Sequence, residues 1–184
     1  MGETLRLFVA APLTDDARHR IAHLLRAASP RPLPGRPVPP ENWHVTLRFL
    51  GSVDEVGRDR LLAGLDAAVL GERFDVEWGG LGAFPRPARA TVLWVGADRG
   101  DGPLRLLAER VEDAVVGAGF DPEDRPFRSH LTLSRIRPHQ DVTPIVDRLE
   151  PLGVRMPVDR VVVYRSHLGR GGARYEEIEE FPLG

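Results

Sequence analysis

Two short patterns in this chain carry side chains suited to paired acid–base chemistry: His44-Val45-Thr46 and His130-Leu131-Thr132. Each sits in an apolar, β-prone run, residues 43–50 in the first case and 127–133 in the second. Side chains of an extended strand alternate between its faces, so His44 and Thr46 share one face while Val45 and Leu47 take the other. His130 and Thr132 repeat the arrangement. A lone histidine in a strand is usually structural; a recurrence with matched flanks favours function. Displacement at phosphorus needs a base on the incoming oxygen and an acid on the leaving oxygen, and histidine can play either part near neutrality. A positioned acid or base contributes about 10²–10⁴-fold. The threonine hydroxyls can donate to the non-bridging oxygens, where charge builds in the transition state. Catalytic zinc sites generally use three protein ligands, so two histidines predict neither a metal nor another cofactor.

The rest of the chain must position these pairs. Residues 5–10 alternate as a first strand, with Arg6, Phe8 and Ala10 on one face. Thr14 suits the N-cap of a helix with Asp15 and Asp16 in its first turn. His19 and His23 stand four apart on this helix, a metal-compatible spacing, but with no third ligand nearby they read as surface residues. The six prolines of residues 29–42 exclude a helix or a central strand. They suit a stiff loop into the first histidine strand better than a proline-rich ligand. Gly51 ends that strand, and Ser52-Val53-Asp54-Glu55 fits a capping box opening a second helix with Val56, Leu61, Leu62, Leu65 and Val69 on its apolar side and Gly71 as its stop. A strand over 74–78, a glycine-rich loop over 79–87 and a strand over 90–95 suggest an antiparallel pair. Asp101 can cap a third helix that ends at Gly119. After the second histidine strand come a short helix from Thr143 to about Leu149, a strand over 158–164, a turn at 169–172 and a strand over 173–181. The glycines of that turn lack the pattern of a phosphate-binding loop and a following helix, so a hairpin is expected.

Each histidine strand follows an amphipathic helix and precedes another helix and then strands. The two motifs stand nearly half a chain length apart. This predicts a degenerate duplication: an α+β fold of two pseudo-symmetric lobes, each an antiparallel sheet with helices on its outer side, around a central cleft where the histidines face each other. The 184 residues are expected to form one bilobal domain over 1–184.

Composition excludes several classes. With no cysteine there is no disulfide, thiolate ligand or cysteine nucleophile. No apolar stretch is long enough to span a bilayer, and residues 1–6 lack the apolar segment of a secretory signal, so a cytoplasmic protein without a membrane partner is expected. A net charge of −2 gives no global field for a long nucleic acid. All 25 basic residues are arginine; genomic bias explains that, and arginine also suits bidentate phosphate contacts. The absence of lysine excludes ligation through a lysyl-nucleotide.

The segments 41–51 (Glu-Asn-Trp-His-Val-Thr-Leu-Arg-Phe-Leu-Gly) and 129–135 (Ser-His-Leu-Thr-Leu-Ser-Arg) resemble the two signature motifs of the 2H phosphoesterase superfamily. They are most similar to its bacterial and archaeal branch, the RNA 2′,3′-cyclic phosphodiesterases, historically called 2′-5′ RNA ligases. The resemblance spans nearly the whole chain, including Leu5–Ala10, Gly82–Gly96 and the closing Tyr164–Leu168. It implies water attack on a ribose 2′,3′-cyclic phosphate at an RNA 3′ end, leaving a 2′-phosphomonoester. By that resemblance His44 is the proton donor, His130 the proton acceptor, and Thr46, Thr132 and Arg135 bind phosphate. Phe8 could stack on the terminal base or belong to the core, and Arg6, Arg48 and Arg128 are weaker candidates for the groove. Ser134 stands where small residues are common, a difference expected to be harmless. Substrates would be RNA 3′ ends or small cyclic-phosphate nucleotides, an ADP-ribose cyclic phosphate among them. No obligate protein partner is evident, and a monomer is the default. Two other readings stay open: 2′-5′ ligation by the reverse chemistry, and an RNA-end-binding module without catalysis.

Overall fold

The structure, a computed structural model, describes residues 4–28, 32–169 and 172–184. Strands β1 (Leu5–Pro12), β3 (His44–Val53), β8 (Arg160–Gly169) and β9 (Gly172–Pro182) form one sheet in the order β3-β1-β8-β9. Strands β2 (Arg36–Pro37), β4 (Phe74–Phe84), β5 (Ala90–Arg99), β6 (His130–Gln140) and β7 (Val154–Val158) form the other, ordered β2-β6-β5-β4-β7. Every pairing is antiparallel. Helices α1 (Asp15–Ala28), α2 (Glu55–Asp66) and α3 (Asp101–Gly117) bury their apolar sides with one face of each sheet in a common core. The short α4 (Thr143–Arg148) covers a smaller cluster around Leu93, Ile136 and Val142. This is the expected α+β architecture of two antiparallel sheets.

The pseudo-symmetry is real, but the lobes are not the two halves of the chain. The unit β1-α1-β3-α2 corresponds to β5-α3-β6-α4, with strand orders β3-β1-β8 and β6-β5-β4. Later strands cross over: β4, after the first unit, pairs with β5, and β8, which follows β7 after the second unit, pairs with β1. Each sheet therefore needs strands from both halves. The proline-rich segment is a further stitch. Arg36 and Pro37 add an edge strand against Arg135 and Ser134, and the Val38 N–H donates to the Leu133 carbonyl at 2.8 Å. Six residues later the chain enters β3 at His44. The stiff loop thus ties the first histidine to the strand that bears the second. Residues 29–31 of that loop, and Arg170 and Gly171 of the expected hairpin turn, lie outside the described residues.

Several boundaries differ from the sequence expectation. Gly51 does not end β3; it takes φ +72 inside the strand, a conformation open to glycine, and the strand runs on to Val53. The second helix is capped by Asp54, whose carboxylate accepts the Gly57 N–H at 2.7 Å. It stops at Asp66, short of Gly71, and Val56 and Val69 are exposed. Gly100, not Asp101, is the N-cap of α3. Strand β7 was not expected at all. Strand β4 continues through the glycines expected to be a loop, with a register shift between Trp78 and Leu81. The reason is close approach. A Cβ on Gly82 would lie 2.2 Å from the Trp94 ring, and one on Gly79 would fall 1.9 Å from the Asp98 carboxylate. Replacing Gly82 with alanine is therefore expected to displace Trp94 and to cost about 1–3 kcal/mol by overpacking, measured as a lowered urea midpoint.

Candidate active site

Both histidines open their strands. His44 lies opposite Pro12 and Thr46 opposite Ala10, while His130 lies opposite Gly96 and Thr132 opposite Trp94. Each strand then bulges at the leucine after its threonine. The register passes from Ala10↔Thr46 to Val9↔Arg48, leaving Leu47 extra, and from Trp94↔Thr132 to Leu93↔Ser134, leaving Leu133 extra. A bulge reverses the faces of all residues beyond it. Arg48 therefore leaves the histidine face that simple alternation gives it, and Phe49 and Arg135 enter that face. The equivalent bulges are a symmetry feature that alternation alone does not reveal.

The two histidine faces meet at a cavity of about 660 Å³ lined by His44, Thr46, His130, Thr132 and Arg135. Arg125 and Arg128 also line it, with Asn42, Phe49, Phe84 and Tyr175, and no carboxylate does so among the described residues. Such a wall suits an anion. A second cavity of about 770 Å³ shares Thr46, Phe49, His130 and Arg135 with it, and its far side carries Glu109, Glu112, Asp113 and Glu123.

Backbone carbonyls set the imidazoles. His44 Nδ1 lies 2.9 Å from the Asn42 oxygen, and His130 Nδ1 lies 2.7 Å from the Arg128 oxygen. A carbonyl can only accept, so each Nδ1 bears the proton and each neutral ring offers its Nε2 lone pair. His44 Nε2 is 2.9 Å from Thr46 Oγ1, which donates to it in this tautomer. Asn42 is itself held by its side-chain amide, which donates to the Ala173 carbonyl of β9 at 2.7 Å. Rings hold the imidazoles from behind. Phe8 lies 4.8 Å from His44 and Tyr175 meets it edge-on at 5.2 Å. Phe84 meets His130 edge-on at 5.0 Å, with Trp94 at 6.4 Å.

Burial lowers the pKa of both histidines, and the Arg135 charge lowers them further. For His44 the fall is from 6.5 to about 4, opposed by the Asn42 hydrogen bond and assisted by His130. Both rings are therefore neutral in the free protein at neutral pH. The unfolded chain takes up a proton near pH 6.5 that folded His44 refuses until about pH 4. His44 thus costs no stability above 6.5 and progressively destabilises the fold as pH falls towards 4. Denaturant midpoints measured across that window should fall with pH, and less steeply once His44 is replaced by alanine.

The other sequence candidates separate cleanly. Phe8 is only 2% exposed. It packs under His44 in a cluster with Ala10, Val162 and Tyr164, and it borders only the adjoining cavity. Arg48 is ion-paired away from the cavity, and Arg6 lines only the adjoining one. Arg128 does reach the cavity and lies over the Phe84 ring at 6.0 Å. Ser134 is fully buried and donates its hydroxyl to the Pro34 carbonyl. His19 and His23 are exposed on α1. No group of three potential metal-ligating side chains occurs among the described residues, and no described helix is long and apolar enough to cross a membrane. Arg125, Phe49, Phe84 and Tyr175 were missed as cavity residues. The arginine between Asp124 and Pro126 gave no signal, Phe49 reaches the histidine face only through the bulge at Leu47, and Phe84 and Tyr175 come from β4 and β9.

Comparison with known proteins places this geometry among relatives. The family model of the 2′-5′ RNA ligase superfamily matches residues 14–170. A protein of Aeropyrum pernix named RNA 2′,3′-cyclic phosphodiesterase is 36% identical over 165 residues, 88% of this chain and 93% of its own. An Escherichia coli protein of the same name is 30% identical over 185 residues, covering 100% of this chain and 99% of its own. Among solved structures, E. coli LigT complexed with 3′-AMP superposes with a TM-score of 0.83 at 27% identity, covering 98% of this chain and 99% of its own. The protein TT0787 of Thermus thermophilus gives 0.78 at 32% identity, covering 97% and 98%.

Proposed function

The chain belongs to the 2′-5′ RNA ligase superfamily, and from that premise we propose that it is a hydrolase of RNA 2′,3′-cyclic phosphate ends, working through His44 and His130 without a metal. The observation that carries this reading is the pair of imidazoles, each with Nδ1–H on a carbonyl, beside a cavity walled by three arginines and no carboxylate. The names of the relatives support the substrate.

In this mechanism the cyclic phosphate lies between the imidazoles, its non-bridging oxygens taking hydrogen bonds from Thr46, Thr132 and Arg135. His130 Nε2 removes a proton from water as the water oxygen bonds to phosphorus. The bond from phosphorus to the 3′ oxygen breaks, and His44 Nε2–H protonates that oxygen. The products are a 2′-phosphomonoester and a 3′-hydroxyl, and proton exchange with solvent resets the pair. Free His44 is neutral, so it takes up a proton from solvent as the substrate binds. The anionic phosphate offsets the burial and the Arg135 charge that keep the ring neutral, and the Thr46 hydroxyl turns from Nε2 to a phosphate oxygen. Phe49, half exposed at 52% on the cavity wall, offers an aromatic face. Arginines and two hydroxyls attract no cation, which supports metal independence. The shared core of both sheets supports one bilobal domain over 1–184.

The test is a short RNA ending in a 2′,3′-cyclic phosphate, incubated with the protein and with excess EDTA. The expected product is the 2′-phosphate at an unchanged rate. A 3′-phosphate would reverse the leaving oxygen, and a joined product would make ligation the function. Tight binding without turnover would make the protein an RNA-end-binding module. Loss of activity in EDTA with recovery on added zinc would overturn metal independence.

A further inference from the structure

Arg48 sits two residues beyond Thr46, yet it serves neither imidazole directly. The bulge at Leu47 pairs it with Val9, on the side of the sheet that meets the helices. Its side chain, 10% exposed, lies 2.8 Å from the Glu112 carboxylate of α3 and 3.2 Å from that of Glu123, and it also donates to the Asp121 carbonyl. Glu112 in turn accepts the Glu123 N–H at 2.8 Å, and Glu123 accepts the Arg125 N–H at 3.3 Å. At the far end of the same stretch the Ser129 hydroxyl donates to Asp101. Residues 120–129 contain no helix or strand. They are held by side chains at both ends.

What lies between those anchors is the chemistry. Arg125 and Arg128 line the cavity, and the Arg128 carbonyl holds His130 Nδ1. Glu112 and Asp101 tie the segment to α3, in the unit that leads to His130. Arg48 ties it to β3, the strand of His44 and Thr46, in the other sheet. The guanidinium donates Nη1 to Glu123 and Nη2 to the Asp121 carbonyl while its Nε makes a charge contact with Glu112, a planar hold that an ammonium cannot reproduce.

We infer that Arg48 is a positioning residue: it holds residues 120–129 so that Arg125 and Arg128 face the phosphate and the Arg128 carbonyl fixes the His130 tautomer. The kinetic consequence rests on the hydrolase reading above; the tautomer consequence needs no substrate.

The experiment compares Arg48→Met, Arg48→Lys, Glu123→Gln and the Arg48→Met/Glu123→Gln double variant, each in the full chain. The readouts are kcat/KM on a nucleoside 2′,3′-cyclic phosphate and the side-chain ¹⁵N shifts of His130 in free protein. Arg48→Met should lower kcat/KM by about 10–100-fold, the scale of a small misplacement, and should change His130 from the Nδ1–H form to a mixture of tautomers. Arg48→Lys should recover part of both effects. Glu123→Gln should move both readouts the same way, and the double variant should be no worse than Arg48→Met alone. Unchanged kcat/KM and tautomer in a folded Arg48→Met overturn the inference, even if its Tm falls. If Arg48→Met does not fold, Glu123→Gln decides, since it keeps the Arg48–Glu112 pair. If the wild-type protein hydrolyses nothing, the hydrolase reading fails while the ¹⁵N shifts still decide this one.

Discussion

Alanine at either His44 or His130 should lower kcat/KM for a 2′,3′-cyclic phosphate by about 10²–10⁴-fold, the usual contribution of one positioned acid or base. The two losses should not multiply. Both groups act on one transition state, so once one is gone the double variant has little acid–base help left to lose. The fold should survive. Neither imidazole contributes a ladder hydrogen bond through its side chain, and each has only its Nδ1 contact and, for His44, Thr46 to lose. The His44 variant leaves a small gap against Phe8 and Tyr175, whose rings remain packed on Tyr164 and on each other. Circular dichroism melts alongside the kinetics separate loss of chemistry from loss of structure. Full activity in either folded variant would remove the two-histidine mechanism.

The histidine pair was legible because it needs only strand periodicity and recurrence. His44 and His130 each begin a strand, before any irregularity can change the parity, and Thr46 and Thr132 follow within two residues. Beyond that point local pattern misleads. The sequence around Leu47 and Leu133 contains no glycine or proline to announce a bulge, because the extra residue is imposed by pairing with β1 and β5. Arg48 consequently looked like a groove residue and is instead ion-paired to Glu112 and Glu123, whereas Arg135 had less support from alternation than the histidines and lines the cavity. The glycines at 79, 80 and 82 looked like a loop for a similar reason. Gly79 and Gly82 make room for Asp98 and Trp94, which lie on a neighbouring strand. The two lobes were legible from the duplication, but nothing local indicates that β4 and β8 cross over. Phe8 was placed on the correct face of β1, yet only the packing of Tyr164 and Tyr175 around it shows that the face is covered there.

Arg135→Ala should lower kcat/KM by about 10²–10³-fold, the cost of removing one preorganised donor from developing charge, and it should also move the pH profile in a direction fixed by the structure. Burial is the main reason that both histidines resist protonation, but the Arg135 guanidinium adds to it at each of them. A positive charge beside an imidazole disfavours the imidazolium. Without it both free-protein pKa values should rise towards 6.5, though not reach it, since burial remains. The acidic limb of kcat/KM reports protonation of the base in the free enzyme, so that limb should move to higher pH in Arg135→Ala. Arg135→Lys separates the two effects. An ammonium keeps the charge and so should keep the limb near its wild-type position, while losing the bidentate fork and with it part of the rate. A variant that loses rate with the acidic limb unmoved in both substitutions would mean that Arg135 binds substrate without setting the protonation of the pair. A limb that moved to lower pH would contradict the placement of the guanidinium beside the two imidazoles.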